Sequence, residues 1–187
     1  MLYLILMDYT YVLAQIIGSI AFALSIVRFF QKNKELVMKF SILTSTLHII
    51  HYILLGAIFG CYTLIIALFR DFYIYQREKH HKKYRHRFLF NNILVLIFFA
   101  TIYLIFISLE IKNPINILPP IAGLIYLFAE WFANKIELKI WAAITSAPWL
   151  IYDFSVVSIP GILLDISIII ASLIGAYRDS KKRERRR

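Results

Sequence analysis

A single cysteine, Cys61, stands in the whole sequence, so no internal disulfide can form and the redox compartment stays open. Glycine is nearly as scarce, with six residues in 187 and none arranged as a phosphate cradle. Charge is thin as well: 17% of residues are Asp, Glu, Lys or Arg, less than a soluble domain of this length carries. HExxH, G-x-S-x-G and P-loop patterns are all missing, and Cys61 falls in a hairpin turn with no identifiable base beside it. No catalytic constellation is legible, and no enzyme and no cofactor are expected. The opening MLYLILMDYTYVLAQ lacks a basic n-region and an A-x-A-like cleavage site, so it reads as the start of a first span rather than a removable leader, with Met1 or Met7 as the start residue.

What the chain has in excess is apolar surface. Apolar residues make up 60% of it, aromatics 16%, and the mean hydropathy is +0.71. Disorder is excluded, because such a chain has more surface to bury than it needs to offset its conformational entropy. The solvent for that surface must largely be lipid. Stretches long enough to cross a bilayer occur at Tyr9 to Phe30, Leu36 to Leu55, Ala57 to Tyr75, Phe88 to Leu109, Leu118 to Phe132, Leu138 to Phe154 and Ile162 to Tyr177. Spans two and three, and six and seven, are joined only by tight turns at Gly56–Gly60 and Ser155–Gly161, which makes them helical hairpins.

The formal charge of +10 invites comparison with nucleic-acid binders, but the basic residues lie in short clusters between apolar runs, so no nucleic acid is expected as partner. Lys32, Lys34 and Lys39 follow span one, six Lys or Arg fill Arg77 to Arg87, Lys135 and Lys139 follow span five, and seven more follow span seven; the opposite side has only Lys112. This segregation predicts a multi-pass membrane protein with its N-terminus outside and its C-terminus in the cytoplasm. The REKHHKKYRHR loop and the RDSKKRERRR tail read as solvated basic segments that attract anionic lipid headgroups. For His80, His81 and His86 in that loop, no Cys or acidic residue completes a metal-ligand set with recognisable spacing.

An internal repeat runs through the chain. At an offset of 101, Asn33-Lys34 matches Asn134-Lys135, Ser45 matches Ser146, and Ile58 with Gly60 matches Ile159 with Gly161; one residue of slippage adds Phe30 with Phe132 and Glu35-Leu36 with Glu137-Leu138. The repeat brings spans one to three onto five to seven and leaves span four as a connector. The predicted fold is therefore all-α and polytopic: one membrane domain over 1–187, with a three-helix repeat at 9–75, a linker helix at 88–109, a parallel three-helix repeat at 118–177 and a basic tail at 178–187.

Ionisable groups inside spans are expensive and mark either function or a paired interior contact. Ser41, Thr44, Ser45, His48, His51 and Tyr52 recur at helical spacing on span two, and Ser146, Trp149, Tyr152 and Asp153 form a second stripe on span six. Two such stripes face to face would line a small-molecule cavity. His48, His51, Tyr52, Trp149, Tyr152, Asp153 and Asp165 are thus candidate substrate-binding residues, with interhelical hydrogen bonding and helix capping as their structural alternative. Arg70 and Glu130, at similar depth nearer the cytoplasm, are candidates for an inner gate, against the alternative that Arg70 and Arg28 snorkel to the interface. Pro148 weakens span six beside Trp149 and is a candidate hinge, while Pro119 and Pro120 suit a helix start.

The run Ile50-His51-Tyr52-Ile53-Leu54-Leu55-Gly56 followed by Arg70, the Leu118-Pro119 start of span five, and Trp149 to Phe154 followed by Ser158-Ile159-Pro160-Gly161 and Asp165 resemble the YgjV family of bacterial inner-membrane proteins, over nearly the whole chain. The resemblance implies a location but no biochemical activity. In layout the chain is similar to the SWEET sugar transporters and to bacterial nicotinamide-riboside carriers of three-plus-one-plus-three design, although it lacks the Pro-Gln pair of the PQ-loop branch. The expected function is carriage of a small polar solute of little or no charge by rocking of two three-helix halves. A scaffold or lipid-interacting protein is the alternative, and an intramembrane enzyme using His51 with Asp153 or Asp165 is third.

Overall fold

Each apolar stretch becomes a helix, because a backbone without water can satisfy its polar groups only within its own turns. The computed structural model describes residues 2–29, 34–80 and 87–184, and these form α1 (Leu2–Phe29), α2 (Lys34–Leu54), α3 (Ile58–His80), α4 (Arg87–Leu109), α5 (Leu118–Phe132), α6 (Lys135–Ser155) and α7 (Ile159–Glu184), with no strand among them. Several helices overrun the apolar limits: α1 starts seven residues before Tyr9, α3 continues to His80, and α7 carries on through the basic stretch to Glu184. Hydropathy marks where a chain prefers lipid, whereas helical hydrogen bonds continue into charged ends that water can solvate. The part of the basic loop from Arg77 to His80, expected as a loop, is therefore helical, as is the tail as far as Glu184. Lys32, Asn33, His81, Lys83, His86 and the last three arginines lie outside the described residues.

Six helices close a ring in the order α1, α2, α3, α5, α6, α7, each touching the next and α7 returning to α1. Outside the ring stands α4, packed mainly on α5 and slightly on α3. Contacts within the two triplets, α1–α2 and α2–α3 against α5–α6 and α6–α7, correspond one to one, and so do the two seams between triplets, α1–α7 and α5–α3. Helices α2 and α6 stand opposite each other across the ring.

Polarity is distributed inside out. Leu13, Ile20, Phe69, Phe98, Ile151 and Leu173 are among many large apolar side chains that face outward, while Thr44, His48, His51, Arg70, Asp153 and Asp165 are buried. By length and composition alone, two helices among the described residues are long and apolar enough to cross a membrane, Tyr9–Val27 and Ile159–Lys181; Ile93–Leu109 and Leu118–Phe132 are apolar but shorter.

The α2–α3 and α6–α7 turns are built alike. Both helices end in a Schellman motif, with the Ala57 N–H donating to Tyr52 O (2.8 Å) and the Gly56 N–H to Ile53 O (3.0 Å), matched by Ser158 N–H to Asp153 O (2.9 Å) and Val157 N–H to Phe154 O (3.4 Å). Gly56 and Val157 hold the left-handed position at φ 70° and 54°. Glycine is at ease there; a β-branched valine is not. At the other end, α6 begins with a capping box in which Asn134 Oδ1 accepts from the Ile136 and Glu137 N–H groups and Glu137 Oε2 accepts from the Asn134 N–H. Pro119 and Pro120 open α5, and α6 runs through Pro148 without a break in the helix.

Candidate functional site

Inside the ring lies a cavity of about 360 Å³ reached by side chains from all seven helices. Helix α2 supplies Thr44, Ser45, His48 and Tyr52, and α6 supplies Thr145, Ser146, Trp149 and Asp153, each set an adjacent pair continued at spacings of three or four residues along one side of its helix. Helix α7 adds Asp165, α3 adds Arg70 and α5 adds Glu130. His48, Asp153 and Asp165 thus border the same cavity as Arg70 and Glu130.

At the turn end, Tyr52 Oη donates to Asp153 Oδ1 at 2.7 Å, joining the two facing helices. The Asp165 carboxyl lies within hydrogen-bonding reach of Asp153. Asp165 is 6% exposed and its Oδ2 has no protein hydrogen-bond partner. Trp149 packs against Tyr52 and Tyr152, with ring centroids 5.9 and 6.1 Å away. Gly161, in the first turn of α7, lies directly under Asp153, where an added Cβ would fall on the carboxylate. A glycine here is required by close approach rather than by backbone angle.

His51 is not in the lining. Its Nδ1 lies 2.7 Å from Ala14 O and its Nε2 2.8 Å from Ser158 Oγ. A carbonyl oxygen only accepts, so Nδ1 carries the hydrogen, neutral Nε2 accepts from the Ser158 hydroxyl, and Ser158 Oγ in turn accepts from the Gly161 N–H at 3.2 Å. The imidazole is a buried tie between α1, α2 and the α6–α7 turn. Tyr152 also lies outside the lining, its Oη accepting from the Gly60 N–H at 3.1 Å. These two ties mirror each other, since each reaches from one triplet to the opening of the hairpin's second helix in the other. Gln15 on α1 completes the lock, its Nε2 donating to Val157 O (2.9 Å) and its Oε1 accepting from the Ile159 N–H (3.1 Å).

At the opposite end, the Arg70 guanidinium is 5% exposed and does not snorkel. Its Nη2 donates to Asp71 Oδ1 at 2.7 Å and its Nε to the same oxygen at 3.0 Å. Glu130 Oε2 lies 2.9 Å from Nε and is held by charge, since the Nε hydrogen points at Asp71. The guanidinium also sits 5.2 Å from the Tyr126 ring centroid. This cluster bridges α3 and α5, one of the two seams between triplets. His48 lines the cavity with its Nδ1 2.9 Å from Thr44 O one turn back in its own helix. The Arg28 side chain lies outside the described residues.

Tyr103 was invisible to spacing arguments because it stands alone on apolar α4. It is fully buried, lines the cavity from outside the ring, and passes over Gly123, where any Cβ would strike its ring. Its hydroxyl has no hydrogen-bond partner. A glycine in mid-span of α5 was the available signal that a bulky neighbour crosses there. Among the described residues no group of three His, Cys, Asp or Glu is arranged to hold a metal ion.

No curated protein and no solved structure matches the chain. The family model Imp-YgjV, described as bacterial inner membrane protein, matches residues 12–183, in agreement with the resemblance carried by the His51-Tyr52 and Trp149 to Asp165 segments, and the chain belongs to that family.

Proposed function

We propose that the chain crosses the inner membrane seven times as two parallel three-helix repeats joined by α4, and that it carries a small polar solute through the cavity between them. The observation that carries this reading is the cavity itself, bordered by equivalent faces of α2 and α6 and holding two buried polar groups, Asp165 Oδ2 and Tyr103 Oη, with no protein partner. Buried polar atoms are nearly always paired, so a pair left open on one cavity supports a ligand. The repeat is supported by the matching helix contacts and by the two Schellman turns that reuse the same bonds 101 residues apart. The segregation of the basic clusters supports an orientation with the turn end outside and Arg70 with Glu130 toward the cytoplasm.

Rocking of the halves would open the turn-end ties and the Arg70–Glu130 bridge in alternation, since both cross seams between triplets. A scaffold reading fits less well, because it gives the open cavity no role. The enzyme reading is weakened by His51, whose two ring nitrogens are both engaged away from the cavity. The test is uptake by purified protein in liposomes, screened with sugars, nucleosides, amines and vitamins: accumulation of one class that Asp165→Asn abolishes supports a carrier, and no uptake of any class by well-folded protein removes it.

A further inference from the structure

The cavity is acidic inside a basic protein. Among the described residues its lining has four carboxyl side chains, Asp71, Glu130, Asp153 and Asp165, against Arg70 as the only Lys or Arg, whereas the whole chain has a formal charge of +10. Arg70 cannot compensate the turn end, because Asp71 and Glu130 already hold it. Asp153 and Asp165 therefore face each other with a tyrosine hydroxyl as donor and no Lys or Arg from the lining.

Two carboxyl groups brought together in a medium of low dielectric call for positive charge between or beside them. A proton alone would satisfy the pair but do nothing for the Tyr103 hydroxyl. A metal ion finds no third His, Cys, Asp or Glu in reach among the described residues. An organic ammonium meets each feature: its N–H groups donate to the open Asp165 Oδ2, its charge answers the pair, and its body lies against the Trp149 and Tyr52 rings, which favour cations. The remaining volume and the Tyr103 hydroxyl leave room for a second polar group on the same molecule.

Resting on the carrier reading of this cavity, we infer that its solute is a small organic amine bound as the ammonium, with Asp165 and Asp153 as the anionic recognition pair and Trp149 as the aromatic wall. Binding is measured by calorimetry on the full chain in lipid nanodiscs, using ethanolamine, putrescine and benzylamine, each beside its neutral counterpart ethylene glycol, 1,4-butanediol or benzyl alcohol. The expected result is that at least one amine binds about tenfold or more tighter than its alcohol, and that Asp165→Asn abolishes the preference. Should that variant not fold, Asp153→Asn tests the same pair, and the amine-to-alcohol ratio in the unaltered protein needs no variant. Equal affinity for amines and alcohols, or a preference that survives in a folded Asp165→Asn protein, overturns the amine class. If alcohols bind and are also taken up by liposomes, the carrier reading stands without it; if no member of either series binds and nothing in the uptake screen enters, both fall together.

Discussion

Tyr52 and Asp153, whose side chains meet through a 2.7 Å hydrogen bond, are 101 residues apart and occupy the same place in two like turns. Each is the residue whose carbonyl accepts the long Schellman bond closing its helix. The bond thus joins corresponding places of the α2–α3 and α6–α7 turns at the turn end of the cavity. The lock is asymmetric in chemistry, a phenol on one half and a carboxyl on the other, although its geometry is shared.

Removing the phenol hydroxyl with Tyr52→Phe leaves the ring packing against Trp149 and Tyr152 but deprives Asp153 of its donor. We expect a loss of about 1–2 kcal/mol, read as a lower melting temperature in detergent or nanodiscs, since interhelical hydrogen bonds in membranes are modest and one to a carboxyl lies at their upper end. A melting temperature unchanged from wild type would mean that Asp153 draws its support elsewhere.

The two turns make opposite predictions. Val157 sits at φ 54°, and Val157→Gly relieves a strained backbone, so stability should rise by about 1 kcal/mol. Gly56 at φ 70° has open space around an added Cβ, so Gly56→Ala should cost about 1 kcal/mol through backbone conformation alone. Thermal melts of both variants check the pair; equal signs would contradict the shared-turn geometry.

His51→Ala removes a ring bonded to Ala14 O and Ser158 Oγ without exposing the cavity. It is expected to cost about 2–3 kcal/mol of stability, and less in a Ser158→Ala background, because the two substitutions break the same tie. Amine affinity in the folded fraction should stay within about twofold, the scatter of independent sites. A large selective loss of affinity would return His51 to the binding site.

The contrast between His51 and Tyr52 also shows how far spacing reaches. A helix turns about 100° per residue, so neighbouring side chains leave it in directions about 100° apart and can meet different partners. The polar stripe on α2 splits: Thr44, Ser45, His48 and Tyr52 turn to the cavity, while His51 turns to α1 and the opposite hairpin. Helix number, hairpins and the inward faces of α2 and α6 were legible because hydropathy and helical period express them directly. Tyr103, Gln15 and the Ser158 hydroxyl were not, since each acts through a partner on another element more than a hundred residues away or, for Tyr103, through a notch at Gly123. Val157 was equally hidden, for a valine gives no sign of a left-handed turn.

Orientation is open to a direct check in a Cys61→Ala background. With the turns outside, Cys at Asn113, in the exposed segment before α5, should also be outside and react with an impermeant thiol reagent on intact cells, whereas Cys at Lys135 should react only after permeabilisation. Lys135→Cys labelled from outside would break the alternation on which the seven-span reading depends.

The central claim is that one cavity serves both sides of the membrane, and Ser146, buried on α6 and in the cavity lining, reports on it most directly. In a Cys61→Ala, Ser146→Cys protein, labelling with an impermeant thiol reagent is measured in right-side-out and inside-out vesicles. The account predicts labelling in both preparations, slower from the side of the turns, where the ties of His51, Tyr152 and Gln15 must open first. Labelling from one side only, or from neither in folded protein, would contradict a carrier and leave a membrane protein whose cavity does not alternate.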